Sequence, residues 1–256
     1  MYAEKIIRDA DLDDTEEGVR IGGRVLNNLR YADDTTLAAE SESGLKVLLE
    51  RVTSTSEKAG LYLNIKKTKV MSNTGMTTFR ANNESIEVVK HFNFLGSMVE
   101  DDSGCCLELT KRLAMGRATM VGLTRIWKDR DLTKNTKAKL VKTLIFPIAT
   151  YGCETWTLNK ALHAKVAAFE IWCWRRMLRV PWTAKRTNAS ILEEIRPTMS
   201  LENIILNRKL SYFGHVIRGQ GLESTVMLGM GNGQRNRGRP RKRWIDEVRE
   251  STGLGL

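Results

Sequence analysis

At 256 residues with 41% hydrophobic side chains, the chain is long enough for one large domain or two modest ones and too apolar to be disordered. Its net charge of +11 calls for a polyanionic partner, either nucleic acid or an anionic membrane surface. Residues 1–60 hold 8 Lys/Arg against 13 Asp/Glu, so the whole basic excess lies downstream of them.

Met1 to Arg8 reads as the end of a helix that starts mid-pattern without a cap. Asp9, Asp11 and Asp13 alternate like the opening of a calcium loop. Asp14 stands where that loop needs Gly and Arg20 where it needs a bidentate Glu, so the cluster reads as a solvated acidic loop. Val19 to Ile21 and Arg24 to Leu26 form a hairpin around Gly22-Gly23. A second hairpin follows, Leu29 to Ala32 and Thr35 to Ala39, with Asp33-Asp34 at its turn. Two like charges at one tip cost energy that a hard divalent cation such as Mg²⁺ removes. The alternative is an ordinary exposed turn, where Asp is common.

From Glu42 to Ala59, Leu45, Leu48, Leu49, Val52, Ser56 and Ala59 recur at helical spacing and Gly60 is placed to end the helix, which should cover one face of the sheet. Tyr62 to Ile65 and Val70 to Ser72 read as strand pieces around Lys66-Lys67-Thr68-Lys69, where a lysine either reaches a triphosphate or blunts a sheet edge. Thr78 to Arg80 and Ser85 to Val89 pair around Asn82-Asn83, and Phe92 to Val99 contains Phe94-Leu95-Gly96.

The chain then turns helical. Cys106, Leu109, Leu113, Gly116, Met120, Leu123 and Trp127 make one apolar stripe on a long helix capped near Ser103. Between Lys111 and Lys142 stand ten basic residues against only Asp129 and Asp131, a surface suited to a phosphate backbone. Helices also fit Lys134 to Phe146, Lys160 to Leu178, Thr187 to Ile195 and Ser200 to Ile217, with turns at Pro147, Pro181 and Pro197. Trp172-Cys173-Trp174-Arg175-Arg176 interleaves rings and cations that would stack on bases and pair phosphates, or else pack in the core; helical geometry sends the two Trp to different faces. Cys153, His163, Cys173 and His215 lack zinc-ligand spacing. Gln234 to Arg243 holds six basic residues in ten, and Arg237-Gly238-Arg239-Pro240 resembles a minor-groove hook; a phosphate-binding tail or a nuclear localisation patch fits as well. Cys105, Cys106, Cys153 and Cys173 are too few for a disulfide framework and no secretory leader is expected, so a nuclear or cytoplasmic location is. The most apolar window, Leu140 to Tyr151, contains Lys142 and Pro147 and falls short of the about 20 residues of a membrane span.

Taken together, Tyr31-Ala32-Asp33-Asp34-Thr35 between two strands, a helix, and then Leu63-Asn64-Ile65-Lys66-Lys67-Thr68-Lys69 resemble the catalytic hairpin and following motif of reverse transcriptases. The resemblance is to non-LTR, LINE-type retrotransposons of the RTE/BovB kind, whose open reading frame 2 product carries an endonuclease, the polymerase and a basic C-terminal region. It continues through His91-Phe92-Asn93-Phe94-Leu95-Gly96, Tyr151-Gly152-Cys153-Glu154-Thr155-Trp156, Trp172 to Arg176 and Tyr212-Phe213-Gly214-His215. It implies an α+β chain: a partial palm at 1–100 with catalytic and primer-grip-like hairpins, thumb-like basic helices at 101–150, a helical region at 151–220 and a flexible basic tail at 221–256. It also implies two-metal nucleotide addition with Mg²⁺ on an RNA template and DNA primer, without a membrane partner. Asp33 would be a metal ligand and Asp34 its neighbour with a weaker or indirect role. Tyr31 would lie against the primer terminus, Lys67 at the triphosphate, and Phe94, Leu95 and Gly96 in the primer grip. Lys111, Arg112, Arg117, Arg175, Arg176, Arg235, Arg237, Arg239 and Arg241 would meet nucleic acid. In the family the first catalytic Asp and the fingers lie upstream of this stretch, so a fragment inactive alone is expected; a non-catalytic nucleic-acid-binding relic is the alternative.

Overall fold

The structure, a computed structural model, describes residues 2–12, 15–32, 34–81, 84–102, 104–219, 221–228 and 242–253, with the backbone alone at 2–4 and 7. It has two compact units, residues 1–92 with 219–239 and residues 93–218 with 240–256. Hairpins mixed with helix in the first and helices in the second make the chain α+β, as expected.

In the first unit, α1 (Tyr2–Asp9) precedes β1 (Val19–Ile21) and β2 (Arg24–Leu26), an antiparallel pair. Gly22 and Gly23 close it at φ +56° and +80°, the left-handed pair that a two-residue hairpin turn demands. At Gly22 an added Cβ would also lie 2.8 Å from the Thr225 methyl. The next hairpin, β3 (Asn28–Tyr31) and β4 (Asp34–Leu37), pairs Tyr31 with Asp34. Asp34 therefore opens a strand and does not sit at the turn, which corrects the expectation that both aspartates form the tip. The left-handed position before it is taken by Ala32 at φ +54°; Asp33 lies outside the described residues.

Helix α2 (Glu42–Lys58) starts where Ser41 Oγ accepts from Gly44 N at 3.0 Å. It buries Leu48 against Ala10 and Leu12, and Leu49 against Phe79 and Ile86. β5 (Lys69–Val70) runs parallel to β7 (Glu84–Val88), which pairs antiparallel with β6 (Phe79–Ala81); the Asn82-Asn83 turn lies outside the described residues. No strand forms at Tyr62 to Ile65. There Asn64 accepts from Lys67 N with both its carbonyl (3.0 Å) and its side chain (3.1 Å), a local turn that outcompetes a ladder. β8 (His91–Phe94) and β9 (Ser97–Glu100) form the last hairpin.

The second unit takes in β9 and continues with α3 (Cys106–Gly122), its N-cap at Cys105; the expected cap, Ser103, is outside the described residues. The single long helix expected here breaks at Leu123, and α4 (Thr124–Lys128) follows. Trp127 explains the break: turned into the core, its indole N–H donates to the Met120 carbonyl at 2.7 Å. α5 (Lys134–Leu140), a π turn at Val141–Ile145 and α6 (Phe146–Ala149) run on through Pro147, which was expected to end the helix. In the π turn Phe146 N donates five residues back to Val141 O, a widening that accommodates a proline ring and its missing N–H.

After a 3₁₀ turn at Cys153–Thr155 come α7 (Lys160–Met177), capped by Asn159, a 3₁₀ turn at Trp182–Ala184, α8 (Asn188–Ile195), capped by Thr187, and α9 (Leu201–Gly219). One hydrophobic cluster takes Leu109, Trp127 and Phe146 from before residue 150 and Phe169, Trp174 and Ile205 from after it. At Gly116 an added Cβ would come within 2.7 Å of the Phe169 ring, so glycine lets α3 and α7 approach. Glu170, buried beneath them, accepts from the Trp174 indole at 3.1 Å and from Leu201 N at 2.8 Å, seating the start of α9.

The stretch 221–256, expected to be a flexible tail, contains α10 (Leu222–Met227), which packs on β1, and α11 (Trp244–Thr252); residues 229–241 are outside the described residues. α11 is capped by reciprocal bonds between Arg243 and Asp246, and it buries Ile245 and Val248. Its Trp244 indole donates to Glu154 O at 2.8 Å and lies near the Tyr212 and Phe213 rings. Glu247 accepts from the fully buried Lys209 ammonium and from Leu158 N. Burial pushes the Lys209 ammonium below the ordinary lysine range while the Glu247 bond holds it up. Among the described residues no helix is long and apolar enough to cross a membrane. Glu247→Ala, which leaves Lys209 buried without a counter-charge, is expected to lower the unfolding free energy by about 3–5 kcal/mol, read as a fall in urea midpoint. The double change Lys209→Met with Glu247→Leu should recover most of that loss.

Candidate functional site

Three sets of predicted residues have distinct surroundings. The first is the β3–β4 hairpin. Its register places Leu29, Tyr31, Asp34 and Thr36 on one face, with alternate residues on the other. That face is open, Tyr31 being 65% and Leu29 50% exposed. Asp34 is exposed beside Tyr31 and has no ion pair among the described residues. An open, unneutralised carboxylate is the hard oxygen donor that Mg²⁺ takes, so Asp34 fits as one ligand. No group of three or more potential metal-binding side chains occurs among the described residues, and Asp33 is not one of them. Lys67 is exposed, its backbone fixed by the Asn64 turn.

The second set surrounds the β8–β9 turn, where Leu95 and Gly96 take φ +47° and +83°. Phe94 ends β8. The turn carbonyls are all engaged. Tyr151 OH donates to Leu95 O at 3.1 Å, Arg112 Nη2 to Gly96 O at 2.6 Å, and Lys111 Nζ to Gly96 O at 3.3 Å and to Asn93 Oδ1 at 3.1 Å. Glu108 accepts from Arg112 Nε at 2.5 Å and from Met98 N at 2.7 Å, and the Arg112 guanidinium lies 4.3 Å from the Tyr151 ring centroid. Arg112 was expected on nucleic acid; at 6% exposure, with its fork spent on Glu108 and Gly96, it is a structural tie. Lys111 is half-buried and tied to the same turn, whereas Arg117 is exposed.

The third set closes the end of α7. Trp174 is buried in the core, and Trp172, on another face, stacks on Phe169 with Arg117 and Arg176 near its ring. Arg175 Nη2 donates to Arg186 O at 2.5 Å and Asn188 Oδ1 at 3.0 Å, and Arg176 Nη2 to Thr124 Oγ1 at 3.4 Å. Both arginines line a cavity of about 430 Å³ together with Lys128, Arg179, Trp172 and Trp182. Sequence reasoning passed over Arg179 and Trp182; the cue was a tryptophan directly after Pro181 and close behind three arginines. Arg235, Arg237, Arg239 and Arg241 lie outside the described residues. The four cysteines are free thiols, and burial pushes Cys153 up to about 11, well away from reactive thiolates.

The open hairpin, the helix behind it and the strands that follow decide what this chain is similar to. Residues 10–99 match the reverse transcriptase (RNA-dependent DNA polymerase) family. The match runs from the acidic loop through β9, and so contains the hairpin with Tyr31, Asp33 and Asp34, Lys67 and the Leu95-Gly96 turn. Beyond it, similarity extends over most of the chain to a Caenorhabditis elegans protein described as transposon-derived, 28% identical over 244 residues, 91% of this chain and 87% of that relative. These findings support a chain that carries a reverse-transcriptase-like stretch over residues 10–99. In its helical unit, Arg112→Ala should lower stability by roughly 3 kcal/mol or more, because Glu108 is left buried and uncompensated. Lys111→Ala should stay within about 1 kcal/mol of the parent in the same urea titration.

Proposed function

We propose that this chain is the C-terminal part of a non-LTR retrotransposon reverse transcriptase of the LINE type, RTE/BovB-like and translated from open reading frame 2. We propose further that the stretch of 256 residues binds template and primer without extending the primer by itself. The observation that carries the reading is the family match over residues 10–99, centred on a hairpin whose exposed face sets Tyr31 beside the open carboxylate Asp34. The 28% identical transposon-derived relative supports the retrotransposon origin.

In this reading Asp33 and Asp34 supply the hairpin's metal ligands and Tyr31 supports the primer end. Lys67 attracts the triphosphate, and Leu95-Gly96, fixed by Arg112 and Tyr151, presents a rigid turn to the primer strand. Divalent magnesium, when bound, lowers the pKa of the attacking hydroxyl and stabilises the leaving group. The family's first catalytic Asp lies upstream of the stretch matched here, and a charge-stabilising site short of one ligand is slower by orders of magnitude. What is left is binding: an RNA template, a DNA primer or another nucleic acid held by basic side chains, with Arg117, Arg175 and Arg176 in the helical unit and Arg235, Arg237, Arg239 and Arg241 further on.

The test is primer extension by the purified chain on an RNA template with a DNA primer in Mg²⁺, beside Asp33→Asn and Asp34→Asn. The expected outcome is salt-sensitive binding of template–primer, unchanged in both variants, and no extension. Extension that disappears in Asp33→Asn would overturn the non-catalytic part of the reading, and absence of binding would overturn all of it.

A further inference from the structure

The cavity at the end of α7 has a composition that the polymerase chemistry does not use. Its lining carries four cations, Lys128, Arg175, Arg176 and Arg179, and no carboxylate. A helix C-terminus attracts cations, but its dipole amounts to only about half a negative charge, so four positive groups leave a large excess. No acidic side chain in the lining offsets those charges, and an anion drawn into the cavity would.

Two further features point the same way. Helix α7 ends in a paired-bond turn, Val180 N donating to Arg175 O at 2.9 Å and Arg179 N to Arg176 O at 3.1 Å. The residue after the cap must then be left-handed, a place where glycine is favoured, yet Arg179 occupies it at φ +57°. The backbone preference is given up and a guanidinium is gained at the cavity wall. At the mouth, Pro181 leads into the 3₁₀ turn that holds Trp182 86% exposed, with the Arg175 guanidinium 5.7 Å from its ring centroid. Trp172, by contrast, already stacks on Phe169. An indole left in water beside a cation cluster is a stacking surface without its partner.

We propose that this cavity is a subsite for one unpaired nucleotide of a single-stranded nucleic acid, its base stacked on Trp182 and its phosphate held among Arg175, Arg176, Arg179 and Lys128. A volume of about 430 Å³ lies within the range of about 300–1,000 Å³ of small-molecule sites. Bases in a duplex are already stacked on one another, so the ring selects a strand whose bases are free. This deepens the binding part of the reading above and rests on it, and it is independent of the hairpin carboxylates.

The test is fluorescence anisotropy with a labelled single strand of about 12 nucleotides, its abasic counterpart and a duplex of the same length, across a salt series. The full chain is expected to prefer the base-bearing strand over both. Trp182→Ala should weaken that binding roughly 5- to 100-fold and erase the preference over the abasic strand. Arg179→Gly should weaken binding and lower the log–log salt slope by about 0.7, the share of one phosphate on a single strand. Glycine suits the left-handed position, so this variant should unfold no earlier in urea than the parent, which separates lost binding from lost folding. A preference over the abasic strand that survives in Trp182→Ala, or full competition by a nucleoside triphosphate at the strand's own concentration, would overturn the subsite. So would unchanged affinity in both variants, which leaves nucleic-acid binding standing elsewhere on the chain. No binding of any strand by the parent chain would overturn both readings together.

Discussion

A buried carboxylate and a buried guanidinium one helical turn apart, Glu108 and Arg112, organise the start of the helical unit. Glu108 reaches the Met98 amide and Arg112 the Gly96 carbonyl, so the pair pins the β9 strand and the turn before it onto α3. Such a pair adds little net stability over a hydrophobic replacement, because both charges must leave water. Its contribution is registry. A polar tie accepts one alignment of strand on helix, whereas an apolar contact would tolerate several. Tyr151 completes the arrangement, its ring lying against the guanidinium and its hydroxyl on the Leu95 carbonyl, so a left-handed Leu95 persists where an unsupported turn would relax.

Much of the fold was legible because local chemistry and global packing agree. Gly22-Gly23 dictates a hairpin whatever surrounds it. The stripe of Leu45, Leu48 and Leu49 between Ser41 and Gly60 specifies a capped amphipathic helix. The failures arose where a side chain competes with the backbone or where distant residues decide. Asn64 takes backbone donors that a strand would have used, and Trp127 bends a helix by reaching back for a carbonyl. Pro147 survives inside a helix because the turn before it widens. None of these leaves a mark in hydrophobic periodicity. α11 was missed because its apolar residues are few and its burial depends on Lys209, Tyr212 and Phe213, more than thirty positions away.

The candidate site was legible in kind more than in detail. A hairpin carrying adjacent aspartates is an arrangement the sequence states outright, while the register shows that Asp34 opens the second strand on the face of Tyr31. A run of basic residues is less informative, since it does not say which of two neighbours faces inward: Lys111 and Arg112 are adjacent, yet only Arg112 is buried. The same holds for Trp172 and Trp174, two residues apart on α7. Charge segregation survives this uncertainty. An acidic first quarter and a basic remainder are plain from the composition, whichever individual side chains face outward.

The bond between Lys209 and Glu247 also sets an order of events during synthesis. Lys209 belongs to α9, whose apolar face can collapse onto the helical core as soon as it is made. Its ammonium has no buried counter-charge until residue 247 has been translated. Until then the site must stay hydrated, or the lysine must stay outside, so the nascent helical unit would wait in a loosened state. A chain that stops before residue 247 would make that state permanent, so the integrity of the helical unit is decided by a residue nearly forty positions after the lysine it neutralises.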